Sequence, residues 1–150
     1  MMRGLTARGF TLVEVMIAVA IIGVIAALSV TNYRLYIERV RVARAIVELK
    51  GISTHLVVGN YEDAGLPASL AAAGLSQNDP WGRPYVYARI ATSPPAAIRK
   101  DQFLVPLNSD FDLYSLGADG LSAPIITAPV SLDDVVRGAN GAFVGLARNY

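Results

Sequence analysis

A chain of 150 residues fits the length of one ordinary domain. Its 13 basic and 12 acidic residues nearly cancel, and the basic ones are scattered, so no nucleic-acid footprint is expected. With no cysteine, disulfides and thiolate metal sites are excluded. Much of the 53% hydrophobic content lies in the first 30 residues, which leaves a small soluble core for the remainder.

The first element is an apolar run at residues 10–30, FTLVEVMIAVAIIGVIAALSV, close to the ~20 residues that cross a bilayer as a helix. It is longer than the ~7–15-residue apolar region of a cleavable secretory signal, and no Ala-x-Ala-like site follows it. Arg3 and Arg8 precede it, which places the N-terminus in the cytoplasm and the rest outside. Its single ionisable side chain is Glu14. A carboxylate in a span costs about 2.5–3.5 kcal/mol on the mildest insertion scale, so this one calls for a partner or a route to the headgroups.

Helical periodicity continues beyond the span, and no proline occurs before Pro67. One helix is predicted from about Phe10 to His55, roughly 70 Å long. Tyr33, Ile37, Val40, Ala43 and Val47 recur at steps of 4, 3, 3 and 4 and are read as the stripe that the helix buries. Arg34–Glu38 and Arg44–Glu48 form i,i+4 pairs of opposite charge on other faces. His55, the only histidine, falls near the helix end and is read as a cap for carbonyls.

Residues 59–80 are rich in Gly, Ala, Ser and Asn and read as a loop with one short helix at 67–73. Three short runs then have strand character: 84–90, 102–106 and 111–116. After Gly117 the chain reads as loop to its end. The fold class is α+β: a long N-terminal helix packed on a small antiparallel sheet, with an irregular C-terminal loop region. Asp79-Pro80-Trp81-Gly82 reads as a turn that wedges its Trp under the sheet, and Trp81, Tyr85 and Tyr87 as core rather than a stacking platform. Asp110 and Asp112 are expected to face water on one side of their strand. No nucleophile elbow, phosphate loop or catalytic set is present in the pattern, so no enzyme is expected.

The basic leader, Gly9, Phe10 and then TLVEVMIAVAIIGVIAAL resemble the class III signal of type IV pilins and pseudopilins. DPWGRPYVY (79–87) and FDLYSLGADG (111–120) are similar to segments of the type II secretion major pseudopilin, whereas residues 51–78 match nothing comparable. The resemblance implies residues 1–9 as a prepilin leader, 10–30 as a transmembrane and filament-core helix, 31–58 as its amphipathic continuation and 59–150 as a head domain. It also implies cleavage between Gly9 and Phe10 by a prepilin peptidase, followed by methylation of the new amine. Glu14 would then pair with the N-terminal amine of a neighbouring subunit and set its register. The alternative is that it reaches the headgroups. One departure from the pattern is Thr31, where many members carry a helix-kinking proline.

By the same resemblance the C-terminal loop would bind calcium through Ser115, Asp119, Asp133 and Asp134, with main-chain carbonyls near Leu113 and Leu116. Against this, 13 residues separate Asp119 from Asp133, more than is usual, and the insert at 120–132 is largely apolar. The alternative is a turn at Asp119-Gly120 and a solvated cap at Asp133-Asp134. An EF-hand register fails, since Leu121 stands at position 12, where Glu is required.

The expected partners are further copies of the chain, the prepilin peptidase, an inner-membrane assembly platform, minor pilins or pseudopilins, and the membrane itself. The expected place is a bacterial inner membrane, with the head periplasmic, then a periplasmic or extracellular filament. Three functions stay open: a secretion pseudopilus, which the downstream motifs and the absent cysteines favour; a surface type IV pilus for adhesion, motility or DNA uptake; and a membrane-anchored binding domain.

Overall fold

The computed structural model describes residues 9–59 and 65–150. Arg3 and Arg8, in the expected leader, lie outside the described residues, as does part of the loop expected at 59–80. The described chain is α+β, as expected: one long helix, α1 (Leu12–Val58), and four strands. It falls into two compact units, one ending at Glu38 and the other spanning Arg39–Tyr150.

In the first unit, α1 exposes its apolar side chains on every face, Val13, Ile17, Ile21 and Leu28 among them. A helix hydrophobic all round is built for an apolar surround. Among the described residues α1 alone is long and apolar enough to cross a membrane. The Ser29 hydroxyl donates to the Ile25 carbonyl at 2.7 Å and so is satisfied within the helix.

In the second unit the sheet is an antiparallel meander in the order β1 (Val86–Arg89), β2 (Phe111–Ser115), β3 (Val135–Gly138) and β4 (Phe143–Leu146). Tyr87 stands opposite Leu113, Ser115 opposite Val135, and Val136 opposite Gly145. Alternation sends Phe111, Leu113 and Val135 to one face, where they pack with Ala45, Leu49, Ile52 and Leu56 of α1. Val136, on the opposite face, packs with Leu107, Ile126 and Ala147. The unit therefore has three layers: helix, sheet and irregular C-terminal chain. Tyr85 is buried in the first layer and donates to Glu48 Oε2 at 2.7 Å. Tyr87 donates to the Pro67 carbonyl and its ring lies 5.7 Å from that of Phe111. Both tyrosines are thus core, and Trp81 packs against the same cluster. The expected Arg44–Glu48 pair forms at 2.7 Å.

Four expectations need correction. The buried stripe of α1 is Val42, Ala45, Leu49, Ile52 and Leu56, whereas Val40 and Val47 stay outside, Val47 at 70% exposure. The helix carries two apolar stripes, and the sheet covers the one with the larger aliphatic side chains. Residues 102–106 form a turn, not a strand. The Asp101 carboxylate accepts from the N–H groups of Phe103 and Val105, Leu104 takes φ +63°, and Phe103 is 75% exposed. This is the local side-chain capping that diverts a backbone from a ladder. The helix expected at 67–73 shrinks to one 3-10 turn, Ala71–Ala73, closed by Gly74 at φ +73°. The chain after Gly117 is not all loop, because it contributes β3 and β4.

Candidate functional site

Gly9 and Phe10 precede α1, and Phe10 is 88% exposed. Thr11 begins the helix, its carbonyl accepting the Val15 N–H. The Thr11 N–H and hydroxyl donate to Glu14 Oε2 at 2.8 and 2.9 Å, and the Glu14 N–H donates back to the Thr11 hydroxyl at 3.2 Å. This is a capping box, in which N-cap and third-position side chains satisfy each other's backbone donors. In the single chain the lone carboxylate of the apolar run therefore has local donors. It lies in the first turn, where the positive end of the helix dipole favours negative charge.

The second cluster gathers around the end of β2. Asp79 Oδ1 accepts from the N–H groups of Trp81 and Arg83 at 3.0 and 2.9 Å, and Gly82 closes the turn at φ +87°. Ser115 donates its hydroxyl to Asp79 Oδ2 at 2.5 Å and accepts the Gly117 N–H. The 79–82 turn is thereby docked onto β2. Arg83 then reaches across and donates to the carbonyls of Gly117 at 2.7 Å and Ala118 at 3.3 Å. From the other side, Asp133 Oδ2 accepts the N–H groups of Ala118 and Asp119 at 2.8 and 3.1 Å. Asp119 Oδ1 accepts the Leu121 N–H, and the Leu116 carbonyl accepts the Gly120 N–H. Gly117 has φ +64°, and a Cβ there would lie 2.5 Å from the Asp133 carbonyl oxygen. The loop is packed too closely for a side chain at that point.

Asp134 faces a different set of partners. Fully buried, it receives Arg99 Nη2 at 2.7 Å and the Ser122 hydroxyl at 2.6 Å, both on Oδ2. Arg99 also donates to Ser122 Oγ and to the Ala123 carbonyl, and its guanidinium lies 4.3 Å from the Tyr114 ring centre. Burial pushes the Asp134 carboxyl above the usual carboxylate range, against the pull of Ser122 and Arg99. The Arg99 backbone N–H donates to Asp112, which is itself buried. This corrects the expectation that Asp112 faces water: the Arg99 segment and Asn108 cover it.

Of the residues predicted as calcium ligands, the structure brings Ser115, Asp119 and Asp133 to one loop, while Asp134 turns to Arg99. Leu113 is held in the β1–β2 ladder opposite Tyr87, with its side chain in the core. Calcium takes six to eight oxygens. Here much of the donor set is committed: Asp133 Oδ2 to two backbone N–H groups, Asp119 Oδ1 to the Leu121 N–H, Ser115 to Asp79, the Gly117 carbonyl to Arg83 and Asp134 Oδ2 to Arg99. Asp134 Oδ1 is a buried oxygen without a hydrogen-bond partner, but among the described residues no three acidic or histidine side chains are grouped to share an ion. As folded, these residues do not fit calcium without breaking the contacts that close the loop.

Three arginines escaped the sequence reasoning. Arg83 and Arg99 close the C-terminal segment, and Arg137 is buried beneath the sheet, where it binds Ser53, Asn108 and Asp110. The available signal was Arg137 inside the apolar run VVRG, at a position that strand alternation sends inward.

An N-terminal helix with an apolar first half, whose second half carries a four-stranded antiparallel meander, defines the pilin-like class. Residues 5–30 match the family model described as the prokaryotic N-terminal methylation motif. The chain is 30% identical over 134 residues to the type II secretion system core protein G of Pseudomonas aeruginosa, covering 75% of this chain and 84% of that one. It is 31% identical over 146 residues to the type IV major fimbrial protein FimA of Dichelobacter nodosus, covering 91% and 85%. A shorter match, 41% over 70 residues, is to the fimbrial protein EcpC of Eikenella corrodens, covering 46% of this chain and 45% of that one. No solved structure matches. The chain belongs to the type IV pilin-like family and is a pilin-type filament subunit.

Proposed function

We propose that this chain is the subunit of a periplasmic type II secretion pseudopilus and serves protein export as a structural element. The similarity to core protein G carries this reading, because its 134 residues extend well past the helix into the head. In this reading a prepilin peptidase cuts between Gly9 and Phe10 and methylates the new amine of Phe10. The chain sits in the inner membrane with its N-terminus cytoplasmic. An assembly platform then moves residues 10–30 from lipid into a bundle of like helices, where minor pseudopilins join the filament. Glu14 exchanges part of its capping box for the amine of a neighbouring copy. An ion pair in such a bundle adds modest net stability, yet a subunit at the wrong height leaves the carboxylate unpaired, so the pair sets register.

A surface type IV pilus is the second reading, favoured by the FimA similarity over 91% of the chain. Deletion of the gene in its native bacterium separates the two. Loss of an exported protein with surface filaments intact supports the pseudopilus, whereas loss of surface filaments supports the pilus. The intact mass from native membranes tests the shared step: the expected chain begins at Phe10 and carries one methyl group. A start at Met1 or Met2 would refute processing and leave a membrane-anchored domain. Glu14→Gln is expected to leave the protein in the membrane and abolish filaments; normal assembly would refute the register role.

A further inference from the structure

We propose that Arg83 and Arg99 hold the C-terminal segment closed in place of a divalent cation, so that the head folds without calcium. Two fixed points need a positive group in this part of the fold: the bend after β2, whose carbonyls converge, and the buried carboxylate of Asp134. Each meets a guanidinium. Arg83, anchored through its own backbone N–H to Asp79, spans from the 79–82 turn to the Gly117 and Ala118 carbonyls. Arg99 spans from the segment before β2 to Asp134 just before β3, and gathers Ser122 and Ala123 on the way.

The long insert is clipped at the same place, since Ser131 Oγ accepts the Ala123 N–H at 2.8 Å and donates to the Ala123 carbonyl at 3.1 Å. A guanidinium presents five N–H donors in a rigid plane and stays charged at any physiological pH. It can therefore cross-link carbonyls and carboxylates as a metal would, without depending on a dissolved ion. Gly120 fits the same plan. A Cβ at that position would lie 2.5 Å from the Arg83 guanidinium carbon, so the loop is shaped around the arginine.

The test uses the full-length protein in detergent, with thermal unfolding of the head followed by the fluorescence of Trp81, the only tryptophan. Wild type is expected to melt at the same temperature, within about one degree, in excess EGTA and in millimolar calcium. A calcium-dependent rise of several degrees would overturn the proposal. Arg83→Gln, at a half-buried position, is expected to lower the midpoint by several degrees, and calcium is not expected to restore it. An unchanged midpoint in Arg83→Gln, or its recovery in calcium, would also overturn the proposal. Arg99→Met is the harsher variant; should it fail to fold, the wild-type comparison and Arg83→Gln still decide the outcome.

Discussion

Replacing Arg137 with methionine removes the most heavily bonded side chain in the head while keeping most of its apolar volume. Arg137 is fully buried on β3. Its Nε donates to Ser53 of α1 at 2.9 Å, and its two terminal nitrogens hold Asp110 at 2.8 Å each. It also donates to Asn108 and to the Phe111 carbonyl, and its guanidinium lies 4.0 Å from the Phe111 ring centre. Breaking a buried pair by deleting one partner costs about 3–5 kcal/mol. Asp110 keeps 33% of its side chain exposed and can hydrate when abandoned, so the lower end, about 3 kcal/mol, is expected. Equilibrium unfolding of the full-length protein in detergent, read by Trp81, measures the loss, and a cycle with Asp110→Asn isolates the pair. A loss below about 0.5 kcal/mol, or strict additivity in the cycle, would refute this account of the network.

Leu49→Ala is expected to cost about 2–5 kcal/mol in the same assay, because Leu49 is fully buried in the helix–sheet layer; Val47→Ala, on the exposed stripe, is expected to fall within about 0.5 kcal/mol of wild type. Gly117→Ala is expected to unfold the head at a lower temperature, since it meets both a positive φ and the Asp133 carbonyl. At Asp110, burial works against the ionised form, but Arg137 and the Phe111 N–H outweigh it and hold the carboxyl below its ordinary range. Its contribution to stability is therefore present above the unfolded value of about 3.9 and is lost as pH falls through the lower folded value. The stability gap between wild type and Asp110→Asn should narrow on acidification through that window, and a gap independent of pH would refute the assignment.

What could be read from the sequence was what local pattern decides. The extent of α1, the strands β1 and β2, the turn at Asp79 and the buried tyrosines each rest on residues close in the chain. The choice of buried stripe did not, because Val40, Ala43 and Val47 have a helical period as good as that of Ala45, Leu49 and Ile52; only the sheet decides between them. Residues 102–106 looked like a strand by composition, and the neighbouring Asp101 side chain overrode it. β3 and β4 were hidden by Gly138 and Gly145, although the Ala139-Asn140-Gly141 turn between two apolar runs was a hairpin signal. At the N-terminus, Gly9, Phe10 and Glu14 stood out because an apolar span makes any exception visible. The arginines of the C-terminal segment did not, since a guanidinium 35 positions from its carboxylate, as Arg99 is from Asp134, has no periodicity to mark it.

The order in which the chain is made bears on the bond between Arg137 and Ser53, which spans 84 positions. Each strand of the meander pairs with the strand made just before it, so the sheet can grow step by step. The greasy side of α1, from Ala45 to Leu56, emerges long before the strands that cover it: β2 brings Phe111 and Leu113, and β3 brings Val135. When Arg137 arrives, β3 adds a second polar tether to the helix beside that of Tyr85 to Glu48. A chain arrested before that point carries Leu49 and Ile52 incompletely covered. The completed head thus certifies its own synthesis, because a truncated fragment leaves that apolar side open to proteolysis and is not a competent building block.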